Sequence, residues 1–281
     1  MTNSGTDRLE KLYIAYRVYP RFSKSAFTEG FADKFDMFKN CIISFIVALG
    51  GIDYKIHFIL DSCPPVYAEF IESLVPMERF SIEHLSNAGN RNTFLRQIEV
   101  LLNQTFSDNI FFAEDDYLYK QDTFLKIVNF LNSSNKADFV TPYDHPDYYM
   151  SISCTNRYLH TYKSRIEFYQ GMHYRTVSST TLTFLTSVKV LKETKKYFFR
   201  YMTKNLGDYQ IWLMLTHVKR RTGWIKSTIN LYLVDAFKVL FGKKYTLYAP
   251  LPGLAIHLAE PCAGKMGDIE SFKLQQQFIE K

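Results

Sequence analysis

Hydrophobic and polar positions along the first part of the chain switch repeatedly between a period near two and a period near 3.6. Leu12-Tyr13-Ile14-Ala15-Tyr16-Arg17-Val18 reads as a strand, closed by Pro20. From about Ala32 to Ala48 the apolar residues Phe35, Phe38, Ile42, Phe45 and Ile46 recur at helical spacing and stop at Gly50-Gly51. Lys55 to Leu60 is a second strand, ended by Asp61-Ser62-Cys63-Pro64-Pro65, and a helix near Val66 to Leu74 follows. A short strand around Arg79 to Glu83 precedes a helix over Asn90 to Leu102, with Phe94, Ile98 and Leu101 along one side. Asn109-Ile110-Phe111-Phe112-Ala113 is a continuous run of the length of a strand buried on both faces. Gln121 to Leu131 is an amphipathic helix, and Ala137 to Thr141 another strand.

Such alternation predicts an α/β fold, a parallel sheet with helices on both faces. Beyond residue 142 the pattern is less regular. Tyr174 to Val177 and Thr180 to Leu185 read as strands, rich in β-branched and aromatic residues, and Ser187 to Tyr201 and Asp208 to Lys219 read as helices. No repeat, low-complexity tract or long linker divides the chain. The expectation is one domain over residues 1–281, with a nucleotide-binding half at about 12–142 and an acceptor-side half at about 143–262.

Three acids, Glu114-Asp115-Asp116, begin where the buried run stops. Open α/β sheets bind ligands beyond the carboxyl ends of their strands, so the acids lie where ligands sit. Only Lys120 follows closely as a cation, and a divalent ion would relieve their repulsion; hard oxygen ligands suit Mg²⁺ or Mn²⁺. A solvated acidic loop or a helix N-terminus would also accommodate them.

The 281 residues, 47% hydrophobic and 22% charged, allow a sizeable core and an ordinary globular chain. With 34 Lys and Arg against 28 Asp and Glu, the charge of +6 is too small to argue for nucleic acid, though it suits an anionic ligand or a membrane surface. The four cysteines, Cys41, Cys63, Cys154 and Cys262, have no paired spacing, which points to reduced thiols in a cytosolic protein and supports neither a zinc site nor a disulfide framework. The polar N-terminus carries no signal-peptide core, and the longest apolar stretch, Cys41 to Leu49, falls far short of the roughly 20 residues of a spanning helix.

An alternating half that ends in a DXD-like acidic cluster resembles the GT-A glycosyltransferases, the nucleotide-sugar transferases typified by family 2. Glu114-Asp115-Asp116-Tyr117 is similar to the EDDY motif of bacterial polysaccharide or capsule enzymes. The resemblance runs from Tyr13 to about His257 and rests on short motifs. It implies a GT-A-like, Rossmann-type, mostly parallel sheet with an irregular acceptor-side C-terminal half. The implied activity is metal-dependent transfer of a sugar from a nucleoside-diphosphate sugar, UDP by family frequency, to a hydroxyl acceptor.

By this resemblance Tyr16 and Arg17 line the nucleotide pocket, through stacking and a fixed positive charge; alternatively they are a core Tyr beside a surface Arg. Asp61 faces ribose or base; alternatively it serves the turn before Ser62 and Pro64. Asn90 and Arg91, opening a helix after Gly89, touch the nucleotide sugar, or Asn90 is an N-cap. Asp116 is the direct ligand of Mn²⁺ or Mg²⁺, Asp115 holds ribose, donor sugar or a metal-bound water, and Glu114 supports them. His257, after the Pro/Gly-rich segment from Pro250, is a further metal ligand. Asp208 is the general base of an inverting reaction, although Gly207 stands where the family often has a first acid.

The implied partners are a nucleotide-sugar donor and a saccharide or lipid-linked saccharide acceptor, in a cytoplasmic protein with a possible peripheral contact at the inner membrane face. The basic stretches Lys195 to Arg200 and Lys219-Arg220-Arg221 suit such a contact, or are a solvated face. Trp212 and Trp224 stack on a sugar or belong to the core. Ser178 to Phe184 line the acceptor side or are simply strand residues. Two other readings stay open: a sugar-phosphate nucleotidyltransferase, against which the absence of glycines after the first strand counts, and a non-catalytic protein of the same fold.

Overall fold

The computed structural model describes residues 9–23, 26–149, 162–203, 208–218 and 242–259. Trp224, Lys219 to Arg221, Cys154 and Cys262 lie outside the described residues. In chain order the front half comprises β1 (Lys11–Val18), α1 (Lys34–Ala48), β2 (Asp53–Asp61), α2 (Pro65–Leu74), β3 (Phe80–Leu85), α3 (Gly89–Asn103), β4 (Asn109–Glu114), β5 (Tyr117–Tyr119), α4 (Thr123–Ser133) and β6 (Phe139–Val140). The rear half adds β7 (Ile166–Tyr169), β8 (Met172–Val177), β9 (Phe184–Ser187), α5 (Val188–Thr203), α6 (Asp208–Leu215), β10 (Leu247–Leu251) and β11 (Ala255–His257).

Nine strands form one sheet in the order β3-β2-β1-β4-β9-β6-β10-β8-β7. β3, β2, β1 and β4 are mutually parallel. From β9 outward the sheet turns mixed: β9 is antiparallel to β4 and β6, β10 parallel to β6, and β8 antiparallel to both β10 and β7. The helices cover both faces, and strand parity sorts the side chains between them. Ile14, Tyr16 and Val18 of β1, with Phe111 and Ala113 of β4, pack in the layer of α1, α2 and α4. Ala15, Ile110 and Phe112 pack in the opposite layer with α3, α5 and α6. Each of these eight side chains other than Val18 is fully buried, and a buried Phe, Ile or Tyr contributes roughly 1.5–3 kcal/mol.

From β1 the chain steps to β2 and β3 on one side, then returns to place β4 on the other. That reversal of strand order opens a crevice at the carboxyl ends of β1 and β4. Gln97 of α3, wholly buried, bridges it from beneath, donating to the carbonyls of Ala15 at 2.7 Å and Ala113 at 2.9 Å.

The front elements fall within a few residues of the sequence pattern. The rear half departs more. Residues 180–183 precede β9 instead of belonging to it, and the Pro/Gly-rich approach to His257 contains β10 and β11. β11 pairs antiparallel with β5, a three-residue strand directly after the acids, so His257 stands opposite Tyr117. Such short strands carry too few residues to display a period. Among the described residues no helix is long and apolar enough to cross a membrane.

Candidate functional site

A cleft of about 400 Å³ opens at the β1–β4 reversal. Arg17 and Glu114, the last aligned residues of the two strands, are register partners. Odd parity sends Arg17 toward α3, over the Phe94 ring at 5.8 Å, with its guanidinium almost fully buried. It forms an ion pair with Glu114 and donates to the carbonyl of Asn90 at 2.8 Å and to the Asn90 side-chain oxygen. The second oxygen of Glu114 accepts from Thr183 Oγ1 at 2.8 Å.

Asp115 turns the other way. One oxygen accepts the Tyr19 backbone N–H at 2.9 Å and the other meets the Lys34 ammonium at 3.1 Å. Burial raises the Asp115 pKa and the Asp116 charge adds to this, while Lys34 and the Tyr19 N–H work against it. Burial also opposes the charge of Lys34, but Asp115 and Asp116 outweigh it, and the Lys34 pKa is raised. Asp116 Oδ2 lies 3.3 Å from His257 Nε2, and Asp116 Oδ1 is buried with no hydrogen-bond partner among the described residues. Burial disfavours the Asp116 carboxylate; the charge and hydrogen bond of His257, with Lys34 and Arg17, prevail and lower its pKa. The His257 ring stacks on Tyr117, with centroids 4.5 Å apart and planes at 6°.

The three acids are therefore not the uncompensated group that their sequence neighbourhood suggests. Arg17 from β1, Lys34 from α1 and His257 from β11 each meet one of them. The pairings of Lys34 with Asp115 and of Thr183 with Glu114 escape the sequence reading because they span 81 and 69 residues. One signal for Lys34 exists. It is a buried cation in the first turn of a helix, on the face that continues with Met37, Phe38 and Cys41, where the dipole disfavours positive charge.

Three further candidates are placed differently from expectation. Tyr16 shares parity with Ile14 and Val18, so it is wholly buried in the α1 layer, its ring 4.9 Å from Phe45 and 5.4 Å from Phe58. It cannot stack on a base; Tyr19, 43% exposed on the cleft wall, can. Asp61 lines the cleft, but its two oxygens accept the N–H groups of Ala88 at 3.0 Å and Gly89 at 2.7 Å. It caps α3 from another element, where no side-chain cap is present at Ala88 itself, and those two N–H groups do not await a phosphate. Gly89 has φ of +77°, the left-handed region in which a side chain is strained. Arg91 is exposed on α3 and outside the cleft lining, whereas Asn90 lines it beside Arg17.

Asp208 opens α6, and its side chain lies outside the described residues. The helix itself is tied to the site: Trp212 Nε1 donates to the Thr181 carbonyl at 3.1 Å, and Tyr117 donates to Thr181 Oγ1 at 2.7 Å. Trp212 is wholly buried against Phe139, Phe184 and Phe198, a core residue and not a sugar platform. Beyond His257, burial and the charges of His257 and Arg175 push the His145 pKa down to about 4, leaving that imidazole neutral at pH 7. Cys63, at the cleft's edge, is no nucleophile: burial, with Asp115 and Asp61, pushes its thiol up to about 12.

The residues fit a divalent ion in one specific way. Among the described residues no group of three or more His, Cys, Asp and Glu side chains could hold a metal by itself. Asp116, with its unpartnered buried oxygen, and His257 offer one carboxylate and one imidazole. Mg²⁺ and Mn²⁺ are commonly held by one or two carboxylates with phosphate and water completing the shell, and the imidazole is the softer ligand of this pair. Electrostatics favour the same arrangement: the cleft is lined by four carboxylates but only three cations, Arg17, Arg21 and Lys34. A diphosphate entering alone would meet a net negative wall.

No protein-family model matches the chain, and no curated protein does. Among solved structures it is similar to the glycosyltransferase GlyE of Streptococcus pneumoniae, at 12% identity and a TM-score of 0.46 over 95% of this chain and 61% of that one. It is also similar to S. aureus TarS in complex with UDP, at 10% identity and a TM-score of 0.44 over 73% and 54% of the respective chains. A third similar structure is 4-diphosphocytidyl-2C-methyl-D-erythritol synthase from Anaerococcus prevotii, at 12% identity and a TM-score of 0.43 over 96% and 97%. The chain thus spans little more than half the length of the TarS and GlyE chains. At TM-scores below 0.5 these likenesses decide nothing about activity, which is argued from the cleft itself.

Proposed function

We propose that the chain is a metal-dependent glycosyltransferase that uses a nucleoside-diphosphate sugar and a hydroxyl acceptor. The observation that carries this reading is the Asp116 oxygen left without a partner among the described residues, in an acid-rich cleft where Glu114 and Asp115 are matched by Arg17 and Lys34 and Asp61 by backbone N–H groups. Support also comes from the EDDY-like motif standing at the carboxyl end of β4, at the reversal of strand order.

In this reading Tyr19 stacks on the base, and Arg21 and Lys34 orient the phosphates from the cleft wall. Arg17 keeps Glu114 and Asn90 in place beneath them. Asp116 and His257 would hold a divalent ion, which would supply positive charge against the leaving diphosphate. Asp208, at the start of the helix anchored through Trp212, takes the proton from the acceptor hydroxyl as its oxygen attacks the sugar carbon from the face opposite the diphosphate. Attack from that face would invert the anomeric centre.

The test is a thermal-shift series with UDP, GDP, CDP and ADP, each with and without Mn²⁺, on the protein and on Asp116→Ala. One nucleotide should stabilise only with metal, by about 2.7 kcal/mol at 100 times its dissociation constant, and the variant should lose that shift. A folded protein that no nucleotide stabilises under either condition would sink the proposal. Release of nucleoside diphosphate in turnover assays, in place of inorganic pyrophosphate, separates a glycosyltransferase from a nucleotidyltransferase.

A further inference from the structure

A second pocket, of about 300 Å³, lies at the other edge of the sheet. Its position follows from register. β10 starts at Leu247 beside Phe139, the first residue of β6, and β6 runs parallel to β4, since both are antiparallel to β9. The pocket, built around Leu247 and Val177, therefore faces away from the carboxyl edge that carries the acids.

Among the described residues its charged lining is Lys163, Arg165 and Lys244, with no carboxylate. None of the three forms an ion pair among the described residues. Two of the nearby acids are engaged elsewhere, and Glu167, although it also feels the Arg165 charge, is hydrogen-bonded by other partners. Asp138 pairs with Lys243 at 2.8 Å, Glu193 accepts from Tyr245 at 3.2 Å, and Glu167 is held by Lys136 at 3.0 Å and by Tyr248. Thr176 and Thr246 contribute hydroxyls, and Tyr162 an aromatic wall. Three cations that converge on a concave surface repel one another, and an anion relieves that repulsion. Hydroxyls beside fixed cations are the donors that a phosphate group uses.

We infer that this pocket binds the phosphate group of a ligand separate from the donor nucleotide, either a free phosphate ester or an anionic lipid headgroup. Its volume admits more than a bare inorganic ion. The inference stands independently of the glycosyltransferase reading, because none of its residues lines the cleft.

The test compares the full chain with the double variant Arg165→Gln/Lys244→Gln. Both residues are exposed, so the fold is retained, and equal melting temperatures verify it. Calorimetry with methyl phosphate reads the free-ester arm, and co-sedimentation with vesicles of phosphatidylglycerol in phosphatidylcholine reads the lipid arm. The expected result is saturable binding in at least one arm, weakened at least tenfold in the double variant and weakened further between 50 and 200 mM salt. Binding of methyl phosphate alone identifies a soluble ester, and binding of vesicles identifies a headgroup. Equal affinity in both proteins overturns the inference, because the phosphate then sits elsewhere, as in the front cleft. Absence of binding in both arms overturns it as well.

Discussion

At the carboxyl edge of the parallel strands each acid of the motif meets a base brought from a distant element, while at the opposite edge Lys163, Arg165 and Lys244 face a pocket with no ion pair of their own among the described residues. The first arrangement is preorganised: Arg17, Lys34 and His257 hold the carboxylates where a ligand would need them, and only one oxygen of Asp116 is left over. In the second, unmatched positive charge waits on an exposed rim. Buried charges must be paired or they cost several kcal/mol each, whereas exposed ones are solvated at little cost. Depth in the molecule thus dictates which edge can leave its charges unmatched.

The sharpest way to break the comparison is in turnover. Asp208→Asn should lower kcat by about 10²- to 10⁴-fold with metal-dependent nucleotide stabilisation unchanged, measured by steady-state rates beside thermal shift. Wild-type kcat in that variant would reduce Asp208 to a helix-start residue. Next comes Lys34→Met, which strands a buried Asp115 carboxylate and should cost about 3–5 kcal/mol in chemical denaturation. Adding Asp115→Asn should restore much of that loss; an equally unstable double variant would mean that Lys34 contributes packing and not pairing. Asp61→Ala removes two charge-assisted hydrogen bonds from the start of α3, and an expected cost of about 2 kcal/mol, with Asp61→Asn intermediate, is open to the same measurement.

The smallest effect is at the surface. Glu83 has a lowered pKa: burial opposes ionisation, and hydrogen bonds from Arg96 and His57, with their charges, overcome it. A depressed folded-state value means stability that is present above the unfolded carboxylate range near pH 4.5 and is lost as pH falls through the folded value. Arg96→Gln should flatten that part of the melting-temperature profile, by no more than about 1 kcal/mol for so exposed a pair.

How much of this was legible in the sequence depends on the distance over which each residue acts. α1 and β4 announce themselves because period and length are local properties, and the acids after Ala113 follow from where the apolar run stops. The strand of Tyr16 is legible, but whether its ring faces the pocket or the core is not. One position of parity separates it from Arg17, and only the helices above and below decide which face is core. Chain order singles out His257, which the structure sets beside Asp116, yet its strand is not legible, because three residues show no alternation. Lys34 and Thr183 act across the fold, and nothing beside them in the chain names the acids they serve.

The cap that Asp61 places on α3 also says something about the order in which the molecule assembles. A helix that carries its own N-cap can begin to form before anything else does; α3 has its capping carboxylate 28 residues upstream of Gly89, at the end of a strand. Nucleating a first helical turn is unfavourable even for good sequences, and a 15-residue segment is marginal alone in water. A peptide of residues 87–104 should therefore be mostly coil by circular dichroism, and in the whole chain α3 should wait for β2 to arrive.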